Sequence, residues 1–265
     1  MTAMLLTVLG CSGSVPGPES PASGYLVTAP GAPPLVLDLG SGTLGALQRY
    51  LDPADAVFLL SHLHADHCLD VAGLLVWRRH HPQARAGLTR MYAPSDAAGR
   101  LGAASAECGG AVDDLSDVLD LRSWSDEQTA HFGSLSVQVA RVEHPCEAYG
   151  MRITDDAGTT LVYTGDTGAC PAVTALAAGA DVLLAEASWT DAPDRPIGVH
   201  LSGSQAGQLA ADAGVGRLLL THIPPWTLRD AVVAEARAVY GGDVHAVRAT
   251  EVVRVASGRG VGPGG

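Results

Sequence analysis

The sequence has few basic residues relative to acidic ones. Its 265 residues include 16 Lys and Arg against 28 Asp and Glu, which gives a formal net charge of −12 at pH 7. A chain with this balance repels a polyanion, so a long nucleic acid is a disfavoured partner. A small anionic phosphodiester is compatible with the charge, because bound divalent ions reverse the field locally.

Paired cysteines and long apolar runs are also missing. The five cysteines form no CxxC pair, and their odd number leaves at least one thiol unpaired in any intramolecular scheme. This pattern favours a reducing, cytoplasmic compartment. No apolar stretch is long enough to cross a bilayer, so we expect no membrane association. The first ten residues lack a positively charged region, and we interpret them as a core strand instead of a signal peptide.

Hydrophobic residues, by contrast, make up 47% of the chain and are spread along it. This predicts one globular domain, which we place at residues 1–256, followed by a flexible Gly-rich tail at residues 257–265. Apolar runs rich in β-branched residues predict strands near residues 4–9, 24–28, 35–38, 56–60, 135–142, 150–154, 160–163, 181–185, 217–220 and 244–247.

Helical periodicity appears at residues 43–50, 69–80, 95–103, 202–213 and 227–240. Ser202 with Gln205, and Thr227 with Asp230, have the spacing of a capping box at a helix start. Strands followed by helices occur in both halves of the chain, which suits an α/β fold with two sheets sandwiched between helices. The acidic segment at residues 108–124 is not placed by any pattern.

The densest group of reactive side chains is SHLHADH at residues 61–67, directly after a predicted strand. It contains His62, His64, Asp66 and His67. Imidazole nitrogens and carboxylate oxygens are the ligands that zinc and similar divalent ions prefer. A single histidine at a strand end is usually a surface residue or a satisfied core residue, but four such side chains in six residues predict a metal site.

Three more candidate ligands follow predicted strands. They are His144 in VEHP, Asp166 in TGDT and His222 in LTHIPP. Each by itself is compatible with a role in a turn or a cap. Because α/β folds gather functional groups at strand ends, we group the three with the first cluster as seven candidate metal ligands.

The ordered set HxHxDH, a downstream His, an Asp in a TGDT turn and a final His resembles the metallo-β-lactamase superfamily over nearly the whole chain. The resemblance implies the four-layer αββα sandwich of that fold and two metal ions, with zinc favoured and manganese or iron accepted by similar ligands. It also implies that Asp66 orients the attacking water. The implied ligands are His62, His64 and His144 for one ion, Asp66, His67 and His222 for the other, and Asp166 as the bridge.

Two further segments narrow the chemistry. EASW at residues 186–189 and HLS at residues 200–202 resemble elements of ribonuclease Z and related phosphodiesterases. In those relatives the Glu orients the His, and the His donates a proton to the departing oxygen. The resemblance thus implies that Glu186 orients and His200 protonates, a suitable role for an imidazole near neutral pH. Alternatively, His200 caps the helix that begins near Ser202, and Glu186 is a surface acid.

The choice of substrate rests on resemblance alone. The chain lacks a Lys-rich, Gly/Pro-rich insertion like the arm with which ribonuclease Z grips tRNA. Through GDTG, EASWT and LLLTHIPPWT it is similar to an actinobacterial group described as cyclic-nucleotide phosphodiesterases. This implies hydrolysis of 3′,5′-cyclic nucleotides, with cyclic AMP favoured, to nucleoside 5′-monophosphates by a homodimer. The alternatives are a ribonuclease Z-type endonuclease for tRNA 3′ ends and a metal-binding module without turnover.

The walls of the substrate pocket are not identified by any motif. We expect them in residues 108–124 and 189–199. The loop at residues 10–16 fits neither a dinucleotide motif nor a P-loop, so it is either a tight strand exit or a set of backbone amides that face a phosphate.

Overall fold

A computed structural model describes residues 3–83 and 86–256, so the predicted tail at residues 257–265 lies outside the described part. Within that part, the strands form two seven-stranded sheets. The first sheet contains, in spatial order, β14 (Val252–Arg254), β1 (Leu5–Gly10), β2 (Gly24–Thr28), β3 (Leu35–Leu37), β4 (Val57–Leu59), β5 (Thr89–Ala93) and β6 (Leu119–Ser123).

The second sheet has the same number of strands among the described residues. In spatial order they are β13 (Asp243–Ala246), β12 (Arg217–Thr221), β11 (Val182–Glu186), β10 (Thr160–Tyr163), β9 (Tyr149–Asp155), β8 (Leu135–Arg141) and β7 (Thr129–Phe132). Strands β10 to β13 run parallel to one another, as do β3 to β6. The carboxyl ends of these parallel strands therefore meet at one edge of each sheet.

Helices cover the outer face of both sheets. Over the first sheet lie α1 (Thr43–Leu47), α2 (Ala65–Cys68), α3 (Asp70–His80) and α4 (Ala97–Ser105), and over the second lie α5 (Pro171–Ala177), α6 (Gly203–Ala213) and α7 (Arg229–Val239). A short 3₁₀ helix occupies Pro53–Asp55. The four layers confirm the metallo-β-lactamase fold expected from the sequence.

Three apolar cores hold these layers together, one between the sheets and one beneath each helical layer. Successive side chains of a strand enter different cores because they point to opposite faces of the sheet. In β2, Tyr25 and Val27 pack between the sheets while Leu26 packs under α1 and α3. Both faces of the central strands are buried, and such strands are expected to be continuous apolar runs.

The predicted helices are found, with boundaries shifted by a few residues. The capping box at α6 is confirmed, since the Ser202 hydroxyl accepts from the Gln205 amide and the Gln205 side chain accepts from the Ser202 amide. The predicted cap at Thr227 is wrong. Helix α7 begins at Arg229 without a side-chain cap, and the Thr227 hydroxyl donates instead to the Ser188 carbonyl at 3.0 Å.

Several elements were not predicted, namely β5, β6, β7, β14, α2 and α5. Strands β6, β7 and β14 are at sheet edges, where one side is exposed and the hydrophobic pattern is weak. Segment 108–124 supplies β6, and Arg79 of α3 anchors it through ion pairs to Asp113 and Asp117. No helix among the described residues has the length and apolar character needed to span a membrane.

Candidate metal centre

The seven candidate ligands converge at the edge where the parallel strands end. His62 follows β4, Asp166 follows β10, and His222 follows β12. Asp66 and His67 lie in α2, a few residues after His62. His64 precedes the same helix, and His144 lies in the turn between β8 and β9. The side chains form two adjacent groups, each with ligand atoms close enough together to hold a metal ion.

The three-histidine cluster consists of His62, His64 and His144. The Nδ1 atom of His64 lies 3.1 Å from Nε2 of His62 and 3.1 Å from Nε2 of His144. The Nδ1 of His62 faces the Ser61 hydroxyl at 3.0 Å, and the Nδ1 of His144 donates to the Val199 carbonyl at 2.8 Å. Because the Nδ1 atoms of His62 and His144 are engaged in this way, the Nε2 atom of each ring carries the free lone pair. Both Nε2 atoms face His64.

The distances between the nitrogen atoms in this cluster match those expected for ligands of one metal ion. Two nitrogens bound to one tetrahedral zinc lie about 3.3 Å apart, because Zn–N bonds are about 2.0–2.1 Å long. Burial lowers the pKa of His62, His64 and His144. The three imidazoles are therefore neutral near pH 7, which is the protonation state that metal binding requires.

The carboxylate cluster consists of Asp66, His67, Asp166 and His222. Nε2 of His222 lies 3.1 Å from Oδ2 of Asp66 and 3.3 Å from Oδ2 of Asp166, and Nε2 of His67 lies 3.2 Å from Oδ1 of Asp166. Asp166 also reaches the other cluster, since its Oδ2 lies 3.7 Å from Nε2 of His62. This carboxylate occupies the position between the two clusters.

Two buried atoms in the carboxylate cluster face each other at 3.2 Å but have no well-aligned hydrogen bond within the described residues. They are Nε2 of His67 and Oδ1 of Asp166. Burial opposes the charged form of His67, but the carboxylates of Asp166 and Asp38 outweigh it and raise its pKa well above the usual value. Burial likewise opposes ionisation of Asp166, but His222 and His67 hold its pKa well below the usual value. The ionised carboxylates fit a divalent ion, which would replace the proton that His67 carries in their field.

Sequence reasoning missed Asp38, which contacts His67 of the carboxylate cluster directly and His62 of the three-histidine cluster through Ser61. This residue is fully buried and has a positive φ of 59°. Its carboxylate accepts from the Ser61 amide at 2.6 Å, the Ser61 hydroxyl at 2.7 Å and the Tyr163 hydroxyl at 2.7 Å, and it lies 2.8 Å from Nδ1 of His67. The interaction orients His67 so that Nε2 faces the cluster. An Asp at the end of an apolar strand was the available signal.

Glu186 is at the centre of a second supporting network. Its Oε1 accepts from Nδ1 of His200 at 2.9 Å and from the Thr167 amide at 2.8 Å. Its Oε2 accepts from the Ser188 hydroxyl at 2.9 Å, and that hydroxyl lies 2.8 Å from Nδ1 of His222. The surface-acid alternative for Glu186 is wrong, because the side chain is fully buried. Ser188 is a second residue that sequence reasoning missed.

His200 lies at the margin of both clusters. Its ring centroid is 5.6 Å from that of His144 and 5.3 Å from that of His222. Burial opposes protonation, but Glu186 and Asp166 raise its pKa to about 9. The ring is 15% exposed, so a ligand can reach it. Since Nδ1 is held by Glu186, Nε2 is the ring nitrogen left to donate a proton.

Cys146 is a third residue that sequence reasoning did not assign to the site. Its thiol belongs to the same group of ligand-capable atoms as the three-histidine cluster. The signal was its position two residues after His144. Cys68, the neighbour of His67, packs in the core under the first sheet.

Two loops, at residues 189–198 and 10–16, border the metal centre. Residues 189–198 contribute to a cavity of about 270 Å³ that also includes His200. In this loop the guanidinium of Arg195 lies over the Trp189 ring at 5.4 Å. The loop at residues 10–16 packs against His222, and a β-carbon at Gly13 would overlap the carbonyl oxygen of His222. Glycine is therefore needed there for close approach to the candidate ligand.

A four-layer sandwich with His/Asp clusters at one edge defines a metal-dependent hydrolase, since clustered imidazoles and carboxylates hold the divalent ions that such enzymes use. The model of the β-lactamase superfamily domain matches residues 37–223. The chain belongs to this superfamily.

Similar proteins agree with this assignment. An uncharacterized protein of Mycobacterium leprae is 59% identical over 242 residues, which cover 91% of this chain and 85% of that protein. The probable metallo-hydrolase YhfI of Bacillus subtilis is 30% identical over 91% of this chain and 96% of its own length. The crystal structure of YhfI has a TM-score of 0.82 to this chain, covering 95% and 99% of the two chains. Ribonuclease Z of Nocardia farcinica is 28% identical over 92% and 95%.

Proposed function

We propose that this chain is a phosphodiesterase that hydrolyses 3′,5′-cyclic nucleotides, with cyclic AMP as the favoured substrate, to nucleoside 5′-monophosphates. The observation that carries the proposal is the pair formed by Glu186 and His200 beside the two clusters. A carboxylate-oriented imidazolium serves as a general acid, and an alkoxide leaving group requires one. A phosphodiester has such a leaving group.

The candidate ligands divide between two ions in this proposal. His62, His64 and His144 would hold one ion, Asp66, His67 and His222 would hold the other, and Asp166 would contribute to both. When bound, a pair of divalent ions supplies Lewis acidity toward phosphate oxygens and lowers the pKa of water. Zinc is the favoured metal, because imidazole and carboxylate ligands suit it, while manganese and iron accept similar sets.

The side chains of the chain then have distinct roles. Asp66 orients the attacking water toward phosphorus. As the water oxygen forms its bond to phosphorus and releases a proton to solvent, the bond from phosphorus to the 3′ oxygen breaks, and His200 donates its proton to that oxygen, which leaves as an alcohol. Glu186 accepts from Nδ1 of His200, and so it keeps the ring in place and favours the protonated form.

The charge of the protein favours a small substrate. Its net charge is −12, which opposes the approach of a long polyanion, whereas a cyclic nucleotide carries a single negative charge on its phosphate. The second candidate function is cleavage of precursor tRNA at its 3′ end. The 28% identity to ribonuclease Z of Nocardia farcinica supports this alternative.

The decisive experiment is an assay of protein loaded with zinc or manganese on cyclic AMP beside a precursor tRNA. His64→Ala is the inactive control, because it removes the nitrogen central to the three-histidine cluster. We expect hydrolysis of cyclic AMP and an intact tRNA. Cleavage of tRNA without hydrolysis of any cyclic nucleotide would establish the second candidate instead.

A further inference from the structure

A cavity of about 510 Å³ lies between the loop that follows β1 and the loop that follows His222. Its lining includes Ser12 and Ser20 from the first loop and Ile223, Pro224 and Pro225 from the second. This volume is in the range of about 300–1,000 Å³ typical of small-molecule sites. The cavity is distinct from the smaller one that includes His200.

One wall of this cavity is the chain segment that follows the candidate ligand His222. The Ile223 amide donates to the Cys11 carbonyl at 3.2 Å, so the residue after His222 joins the two loops. Thr227, another lining residue, donates its hydroxyl to the Ser188 carbonyl, and the Ser188 hydroxyl contacts Nδ1 of His222. The cavity and the carboxylate cluster therefore share the His222 segment as a common wall.

The cavity contains three charged side chains, which are Glu19, Arg229 and Arg248. The Arg229 guanidinium donates to the Val247 carbonyl. Among the residues that the structure describes, no hydrogen bond or ion pair engages the Arg248 guanidinium or the Glu19 carboxylate. Several other arginines of this acidic chain, in contrast, pair with aspartates, as Arg79, Arg122 and Arg217 do. Both side chains are exposed, so the unpartnered guanidinium and the unpartnered carboxylate are available to a ligand.

We propose that this cavity is the base subsite of the substrate and that Arg248 and Glu19 select adenine. The inference rests on the proposed function. The Hoogsteen edge of adenine presents one acceptor, N7, beside one donor, the N6 amino group. Arg248 donates to N7, and Glu19 accepts from the amino group. Ile223, Pro224 and Pro225 supply the apolar surface for the face of the ring.

Guanine lacks this complementarity, because its Hoogsteen edge presents two acceptors, N7 and O6. The O6 atom would face the Glu19 carboxylate and repel it. Selection thus depends on the carboxylate as well as on the guanidinium.

Binding of adenosine tests the subsite without any turnover, because adenosine has no phosphodiester. We expect calorimetry on the metal-loaded protein to show at least tenfold tighter binding of adenosine than of guanosine. Arg248→Ala and Glu19→Ala should each raise the Kd for adenosine about tenfold, as expected for loss of a hydrogen bond to a charged group. The matched controls are Arg254→Ala and Glu107→Ala at exposed positions outside the cavity.

Equal or tighter binding of guanosine overturns the proposal, as does an Arg248→Ala variant that behaves like Arg254→Ala. Kinetics give an independent readout through the ratio of kcat/KM for cyclic AMP to that for bis(p-nitrophenyl) phosphate, which has no base. Arg248→Ala should lower this ratio about tenfold, mainly through KM, by loss of a charged hydrogen bond. An unchanged ratio contradicts the subsite.

The two proposals fail separately. A protein that binds adenosine through Arg248 but hydrolyses no cyclic nucleotide keeps the base subsite and loses the proposed function. A protein that hydrolyses cyclic AMP with no dependence on Arg248 or Glu19 keeps the proposed function and loses the subsite.

Discussion

The three-histidine cluster is neutral and the carboxylate cluster is not. His62 and His144 are held by a hydroxyl and a backbone carbonyl, whereas His67 is held by the Asp38 carboxylate. The first cluster stays neutral because burial disfavours protonated imidazoles. The second contains two ionised carboxylates whose charge must be balanced by a proton on His67 or by a cation. Loss of metal is therefore expected to disturb the carboxylate cluster more.

Asp166→Ala should have the largest effect, because this carboxylate lies between the clusters. We expect activity at background and loss of bound metal from both positions in the proposed dinuclear site, measured by elemental analysis of the purified protein. His144→Ala is the comparison, since this residue belongs to the three-histidine cluster and not to the carboxylate cluster. If Asp166→Ala retains as much metal as His144→Ala, the bridging role is wrong.

His200→Ala should lower kcat by about 10²–10⁴-fold, the range for removal of a general acid, while metal content stays unchanged. His131→Ala, at an exposed histidine of β7, is the matched control. Parallel loss of metal and of turnover in His200→Ala would assign the residue to metal binding instead of proton donation.

Asp38→Asn should weaken metal binding by about 10–100-fold, the usual cost of altering a residue that orients a ligand. The loss should be greater at the carboxylate cluster, because Asp38 contacts His67 directly and His62 only through Ser61. Ser61→Ala separates the two paths, since it removes the hydroxyl that joins Asp38 to His62 but leaves the direct contact between Asp38 and His67. Metal-competition titrations measure both variants, and a larger effect in Ser61→Ala would contradict this asymmetry.

The smallest expected effect is a change in the pKa of His200, measured in the metal-free protein. His200 should titrate near its pKa of about 9, because Glu186 stabilises the imidazolium. The folded-state pKa exceeds the unfolded value of about 6.5, so this contribution to stability is complete below pH 6.5 and is lost as the pH rises through about 9. Glu186→Gln should lower the pKa, as followed by NMR. A pKa of 6.5 or less in the unmodified chain contradicts the prediction.

Much of the fold was predictable from local patterns. The central strands are continuous apolar runs between Gly, Pro and Asp, and a fully buried strand leaves that pattern in any sequence. The edge strands β6, β7 and β14 were missed because half of their surface faces solvent. The cap predicted at Thr227 failed because its hydroxyl bonds to Ser188, a partner 39 residues away.

The candidate ligands could be predicted from the sequence because four of them lie within residues 61–67 and each of the other three follows a predicted strand. The residues that orient these ligands could not be predicted in this way. Asp38 precedes Ser61 by 23 residues, and Ser188 precedes His222 by 34. Nothing in a linear pattern connects such positions, since their pairing arises only when parallel strands bring their carboxyl ends to one edge.

The sequence by itself determined the layered α/β class and the candidate metal ligands, because strand periodicity and ligand chemistry are local properties, while its resemblance to ribonuclease Z and related phosphodiesterases implied the Glu186–His200 pair. The tertiary structure alone decided how those ligands divide into a neutral and a charged cluster, which residues hold them, and where Arg248 and Glu19 face a cavity beside His222. Distances between side chains that are far apart in the chain set these features, and only packing of the two sheets determines such distances.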